Sequence, residues 1–304
     1  MEIALKSKKQ AWMHAIRLRT LPLALSCIFM GSFLAAYTGH LRWEVLILAA
    51  LTTVFLQILS NLANDYGDSV HGADNVERKG PIRAVQSGLI SLKEMKRAMF
   101  ILAGLSLLTG LVLLYVAVQN WVTFSLFLFL GLLAIWAAIS YTSGKNPYGY
   151  VGLGDLSVFL FFGLLGVAGT YFLHSLSLSW SILWPAFSLG CFSTAVLNIN
   201  NIRDIESDQK AGKKSIPVRM GRKWAIQYNW FLILAGNASL LLFVALNQAY
   251  YALMALLTIP LMLMVAYSVQ RETDPGVLDP NLKKMAISTL FWVILFGIGL
   301  LFSR

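Results

Sequence analysis

Residues 61–74 read NLANDYGDSVHGAD and close an apolar run, 44–64, that is long enough to cross a bilayer. A membrane-spanning helix needs about 20 mostly apolar residues. Carboxylates and carboxamides at the end of such a run are costly to desolvate, so they point to function. A second arrangement of the same kind, NINNIRDIESD at 198–208, ends another apolar run. Basic residues follow each cluster. Together they suggest a site for a divalent metal and a polyanion.

Composition sets the class. The chain has 304 residues, of which 58% are hydrophobic and only 12% charged. A soluble domain carries about 25% charged residues. The mean hydropathy of +0.68 agrees. The expectation is an all-α, polytopic membrane protein. The N-terminal stretch MEIALKSKKQAWMHAIRLRT is basic, but no small-residue cleavage site follows a short apolar core, so no cleavable signal is expected. Cys27 and Cys191 lie in apolar runs without metal-like spacing and are read as packing residues.

Nine segments have the length and apolarity of spans: 20–38, 44–64, 97–118, 121–141, 154–174, 180–202, 224–246, 249–270 and 283–302. With the N-terminus in the cytoplasm, nearly all of the 24 basic residues fall on the inner side, and only Arg42 and Arg304 fall outside. This asymmetry supports both the number of spans and their direction. It predicts one unit over 1–304 with the C-terminus outside. The net charge of +10 is then a topology signal, and no nucleic-acid partner is expected. The long loops 66–96 and 203–223 are both inner, and each begins with an acidic cluster.

Within the first cluster, Asn61, Asn64, Asp65 and Asp68 recur at i, i+3, i+4 and i+7, one face of a helix. Asp74 follows on a turn as a further candidate ligand. Such oxygens suit Mg²⁺, a hard ion usually held by one or two carboxylates plus substrate phosphates. The bland reading is a solvated helix end, but Asn61 and Asn64 sit on the membrane side, where polar groups need partners. His71 is read as a loop residue. Downstream, Lys79 and Arg83 flank Pro81. Arginine suits bidentate phosphate contact, so Arg83 is the favoured anion ligand. Asn200, Asp204 and Asp208 repeat at i, i+4 and i+8, with Asn201 alongside and Lys210, Lys213 and Lys214 after them. A surface ion-pair network is the competing reading there. Both clusters end spans on the same side, so two facing carboxylate pairs could clamp one diphosphate.

These residues resemble the UbiA superfamily of intramembrane aromatic prenyltransferases. The match lies in N-D-x-x-D (Asn64, Asp65, Asp68) and D-x-x-x-D (Asp204, Asp208). RLRTLPLAL (17–25), GPIRAVQSGLIS (80–91), YGYVGLGDLSVFLFFG (148–163) and NNIRDIESDQKAGKKSIPVRMG (200–221) are most similar to the branch that acts on 1,4-dihydroxy-2-naphthoate in menaquinone biosynthesis. Gly80-Pro81-Ile82-Arg83 stands where the 4-hydroxybenzoate relatives usually carry R-T-x-x-R-P, which also favours the naphthoate branch.

The resemblance implies about nine helices around a central cavity open to the cytoplasm, in a bacterial inner membrane. It implies transfer of a prenyl group from polyprenyl diphosphate to 1,4-dihydroxy-2-naphthoate, with loss of CO₂ and diphosphate. Asp65, Asp68, Asp204 and Asp208 would hold Mg²⁺, and Asn61, Asn64 and Asn200 would complete or orient that shell. Arg83 and Lys213 would neutralise the diphosphate. Tyr141 is the candidate to stabilise an allylic cation, against an interfacial-belt role. Asp155 is a candidate to position the ring, against a helix N-cap role. Arg19 or Arg17 could pair with the acceptor carboxylate, against a purely topological role. The rival functions are a prenyltransferase using 4-hydroxybenzoate and, from another class, a secondary transporter.

Overall fold

The computed structural model describes residues 7–71 and 83–303. Asp74 and Lys79 lie outside the described residues. No strand occurs among those described, and nine helical segments there are long and apolar enough to cross a membrane.

The helices are α1 Lys8–Ile16, α2 Leu21–Tyr37, α3 Trp43–Val70, α4 Leu92–Ala117, α5 Trp121–Ser140, α6 Gly154–Val158, α7 Thr170–Ser175, α8 Leu183–Arg203, α9 Ile205–Lys210, α10 Ile216–Asn247, α11 Ile259–Arg271 and α12 Pro275–Phe302. A π-helical segment, Phe159–Gly169, joins α6 to α7, and the 3₁₀ segment Tyr250–Thr258 leads into α11. All nine expected spans return, with ends that differ for local reasons. Arg17 adopts a left-handed conformation (φ 51°) that bends the chain between α1 and α2, so a basic helix precedes the first span. Helix α4 starts at Leu92 because Ser91 and Glu94 form a reciprocal capping box. In α10, non-helical Gly221 (φ 78°) separates a short basic turn from the main span. Helix α12 begins at Pro275, after Asp274 accepts from the Gly276 amide at 2.8 Å.

Helix α3 is 28 residues long. At 1.5 Å per residue it measures about 42 Å, against about 30 Å for a hydrocarbon core. Its polar last turns are therefore the part that outruns the lipid. Helix α8 is the central helix, packed against α10, α12 and the π-helical segment. Lipid offers no hydrophobic drive between helices, so close backbone approach has to supply the packing. Gly163 and Gly190 allow it: a Cβ on Gly163 would lie 2.7 Å from the Gly190 Cα. Beside this crossing, Phe192 meets Trp292 edge-on at 5.3 Å, and Trp292 stacks on Phe296 at 5.5 Å. The buried Trp292 indole donates to Asn237 Oδ1 at 3.1 Å, which satisfies both polar groups. At the opposite end of the bundle from the acidic clusters, Arg42 donates to the carbonyls of Val116 and Ala117, the last turn of α4.

Candidate active site

Two adjoining cavities run through the bundle. One, of about 220 Å³, is lined by the polar ends of α3 and α8, by α9, by the start of α6 and by the turn 141–154. The other, of about 380 Å³, lies between α2, α3, α4, α5 and the π-helical segment, with Ile28, Leu56, Leu111, Leu128 and Leu165 among its walls. Gln57, Asn61, Asn64, Tyr141, Val158, Phe162 and Leu197 belong to both linings. A polar chamber thus passes directly into an apolar channel. The sequence could not show this channel, because Leu, Phe and Ile fill every span.

Helix α3 continues to Val70, so the first cluster keeps the expected helical spacing. Its two carboxylates are buried among cations. Asp65 Oδ1 pairs with Arg17 and lies 3.6 Å from Arg83 Nη1. Asp68 Oδ2 lies 2.6 Å from Arg83 Nη1, and Asp68 Oδ1 lies 3.1 Å from Lys213 Nζ. The Tyr150 hydroxyl donates to Asp68 Oδ1 at 2.7 Å. Burial, and then the Asp68 carboxylate, push the Tyr150 phenol above its ordinary range. The end of α3 is held against the turn after α5 by Thr142, whose hydroxyl donates to the Ala63 carbonyl at 2.9 Å. Gly67 makes that approach possible: a Cβ there would lie 2.4 Å from the Thr142 carbonyl oxygen.

The second cluster departs from one continuous helix. Helix α8 ends at Arg203, Asp204 sits at the junction, and α9 begins at Ile205. The amides still bridge the break, from Asp204 to Asn200 at 3.1 Å and from Asp208 to Asp204 at 2.8 Å. The i, i+4, i+8 face therefore survives. Asp204 pairs with Arg203 at 2.6 Å, and Lys213 Nζ lies 3.5 Å from Asp208 Oδ1. Burial raises the Asp208 carboxyl to about 6; Lys213 opposes the rise, and Asp204 and Asp68 add to it.

The carboxamides orient more than they converge. Asn61 Nδ2 donates to the Ile16 carbonyl at 2.8 Å and to Thr20 Oγ1 at 3.0 Å, anchoring the bend between α1 and α2. Asn64 Oδ1 accepts from Thr142, and its main-chain oxygen accepts from Arg83 at 2.8 Å. Asn200 Oδ1 accepts from Arg203 at 2.9 Å, and Asn201 lines the chamber. Tyr141 lies part-buried at the junction of the two cavities. Burial, and then Asp155, raise its phenol. Asp155 also lines the chamber but caps no helix, since Leu153 holds the N-cap position of α6. His71 ends α3, its ring nitrogens within 2.8 Å of the Gly67 carbonyl and 2.9 Å of the Gly144 carbonyl.

Sequence reasoning missed several members of the network. Arg17, treated as one of two equivalent arginines, is the one that meets Asp65, whereas Arg19 pairs with Asp279 at 2.7 Å. Arg203 also pairs with Asp279, which joins α8 to the start of α12. Nothing local marks Asp279 or Tyr150; only the fold brings them in.

The donor set suits Mg²⁺. Asp65 Oδ2 is buried without a hydrogen-bond partner, and Asn64, Asp68, Asn200, Asp204 and Asp208 line the adjoining chamber with the carboxamide and carboxylate oxygens that hard cations prefer. Among the described residues no three His, Cys, Asp or Glu side chains form a single metal cluster. Each aspartate pair would hold its own ion, with substrate oxygens completing the shell.

Known proteins share the sequence pattern and the fold of this chain. Residues 24–295 match the sequence model of the UbiA prenyltransferase family. The chain is 44% identical to a 1,4-dihydroxy-2-naphthoate octaprenyltransferase of Escherichia coli, over 98% of this chain and 97% of that protein. It is 34% identical to the protein of the same description from Mycobacterium tuberculosis, over 96% and 97%. Among solved structures, a UbiA homolog from Aeropyrum pernix superposes with a TM-score of 0.68 at 21% identity, covering 94% of this chain and 98% of that one. A UbiA homolog from Archaeoglobus fulgidus, bound to DMAPP and Mg²⁺, superposes with a TM-score of 0.54 at 19% identity, covering 92% and 99%.

Proposed function

Because the chain belongs to the UbiA prenyltransferase family, we propose that it transfers a polyprenyl group from an allylic polyprenyl diphosphate to 1,4-dihydroxy-2-naphthoate. CO₂ and diphosphate are lost, and demethylmenaquinol is formed. One observation carries this reading: the chamber of aspartates and cations opens directly into an apolar channel, sharing Tyr141 and Phe162 with it. That shape fits a molecule with a diphosphate at one end and a long hydrocarbon at the other. The naphthoate acceptor is supported by the two relatives described above.

Asp65 and Asp68 on one side, and Asp204 and Asp208 on the other, would hold Mg²⁺, which stabilises the departing diphosphate charge. Arg83 holds Asp65 and Asp68, Lys213 bridges Asp68 to Asp208, and both would exchange carboxylate contacts for diphosphate oxygens. The Tyr141 ring, at the mouth of the channel, faces the carbon that becomes cationic. The apolar side chains of Val158, Phe162 and Leu197, shared by both cavity linings, would keep water from that cation. Arg19, part-exposed in the chamber wall, would meet the acceptor carboxylate, exchanging its contact with Asp279 for it. The chamber would face the cytoplasm of a bacterial inner membrane, with the C-terminus outside, a direction that the distribution of Lys and Arg supports.

The test supplies membranes containing the protein with Mg²⁺, an allylic diphosphate, and either 1,4-dihydroxy-2-naphthoate or 4-hydroxybenzoate. Prenylated naphthoquinol and released diphosphate are expected. Product from 4-hydroxybenzoate alone overturns the acceptor assignment, and solute movement without product overturns the enzyme.

A further inference from the structure

Four carboxylates line the polar chamber: Asp68, Asp155, Asp204 and Asp208. Asp68, Asp204 and Asp208 face Arg83, Arg203 or Lys213. Asp155 alone makes no ion pair among the described residues. It is 6% exposed, and its Oδ1 is buried with no hydrogen-bond partner. A carboxylate oxygen sequestered in this way carries a large desolvation penalty, so its persistence calls for a ligand.

Its placement says which ligand. Asp155, Val158 and Phe162 recur at i, i+3 and i+7 and all line the polar chamber; Val158 and Phe162 also line the apolar channel. Asp155 therefore sits on the chamber side of the wall where the prenyl group must meet the ring. Tyr141 lies beside it: a Cβ on Gly154 would be 2.8 Å from the Tyr141 hydroxyl. The diphosphate-binding cations lie on the other aspartates, so Asp155 meets the acceptor and not the leaving group.

We infer that Asp155 is the general base of the transfer, accepting the proton of the acceptor hydroxyl next to the attacked carbon; this rests on the proposed function. As that proton moves to Asp155 Oδ1, the ring carbon bearing the carboxylate bonds to the allylic carbon. The hydroxyl oxygen becomes a carbonyl. The product of this step is a β-keto carboxylate. Its C–CO₂ bond then breaks, the electron pair passes to the carbonyl oxygen, and that oxygen recovers the proton from Asp155. The proton is returned, CO₂ leaves, and no external acid, oxidant or reductant is needed. An ion-paired aspartate could not serve, because a neighbouring cation weakens its basicity.

The test is Asp155→Asn in the full-length protein, with kcat and KM measured for both substrates. A series of ring-halogenated dihydroxynaphthoates, with increasingly acidic hydroxyls, is included. Loss of a general base is expected to lower kcat by about 100-fold or more, with both KM values nearly unchanged. The deficit should shrink as the acceptor hydroxyl becomes more acidic, which a merely structural role would not produce. A kcat within about threefold of wild type, or the same loss with every acceptor, overturns the assignment. Geranyl diphosphate binding shows that the variant is folded. If it is not, Asp155→Glu decides, since it keeps the base and should recover part of the turnover; a folded Glu variant without activity overturns the proposal. Use of 4-hydroxybenzoate alone by the wild type would overturn the proposed acceptor and not this role, which is then measured on that phenol.

Discussion

The Lys213 ammonium lies 3.1 Å from Asp68 Oδ1, and the same nitrogen is 3.5 Å from Asp208, so one side chain joins the two aspartate motifs. It also lies 4.9 Å from the centre of the Tyr150 ring, whose hydroxyl meets the same Asp68 oxygen. The loop after α9 is thereby tied to α3 across the chamber.

Lys213→Met removes this bridge and one diphosphate contact. Turnover is expected to fall by about 100-fold, with KM for the prenyl diphosphate raised and KM for the aromatic acid unchanged. Steady-state kinetics with each substrate varied in turn checks this, and an unchanged KM for the diphosphate contradicts it.

Asp65→Ala and Asp204→Ala are expected to abolish turnover while the protein still inserts. Chelation of Mg²⁺ should stop diphosphate release from the wild type, and fresh Mg²⁺ should restore it. Near-normal activity in either variant removes the metal assignment.

Asp208 sets stability against activity. Its folded-state value of about 6 lies above the ordinary 3.8, so folding favours the protonated form. The stabilisation is complete below the ordinary value and is lost as pH rises through about 6. Metal-free protein should therefore lose up to about 3 kcal/mol between pH 4 and pH 7 from this group. Asp208→Asn should raise the metal-free Tm at pH 7.5 and abolish turnover. Thermal unfolding in detergent with chelator tests it; a lower Tm for the variant is the contrary result.

Arg203 is buried against both Asp204 and Asp279. Asp279→Ala strands part of that charge and should destabilise the protein by about 3 kcal/mol. A double-mutant cycle between the two positions should show coupling above about 1 kcal/mol. Additive effects would mean that the pair does not hold α12 to α8.

Gly110 lines the channel, and the nearest atom to a Cβ there is Thr52 Cγ2 at 3.8 Å. Gly110→Phe should fill channel volume at little cost to folding. kcat/KM should drop by about tenfold or more for long prenyl diphosphates and far less for geranyl diphosphate. An equal drop for both lengths indicates a general packing defect.

What the sequence made legible was local. Asn61, Asn64, Asp65 and Asp68 could be placed on one face because helical period is a property of a few turns. The spans could be counted because lipid demands length. Arg17 with Asp65, Tyr150 with Asp68, and Arg203 with Asp279 could not be paired, because each pair depends on how distant helices pack. Asp155 invited an N-cap reading from its place before an apolar run, yet the N-cap falls two residues earlier, at Leu153, and Asp155 lines the chamber. The break at Asp204 had no marker either, since the spacing of amides across it imitates a continuous helix.

Helix α3 outruns the hydrocarbon and carries the chamber on its last turns, while Tyr141, Val158 and Phe162 mark where that chamber opens into the channel. The level at which water gives way to oil along the substrate is thus fixed by covalent rise along a helix. It does not move with the surrounding lipid, so a bilayer that thickens or thins around the protein leaves the depth of its chemistry where the helix put it.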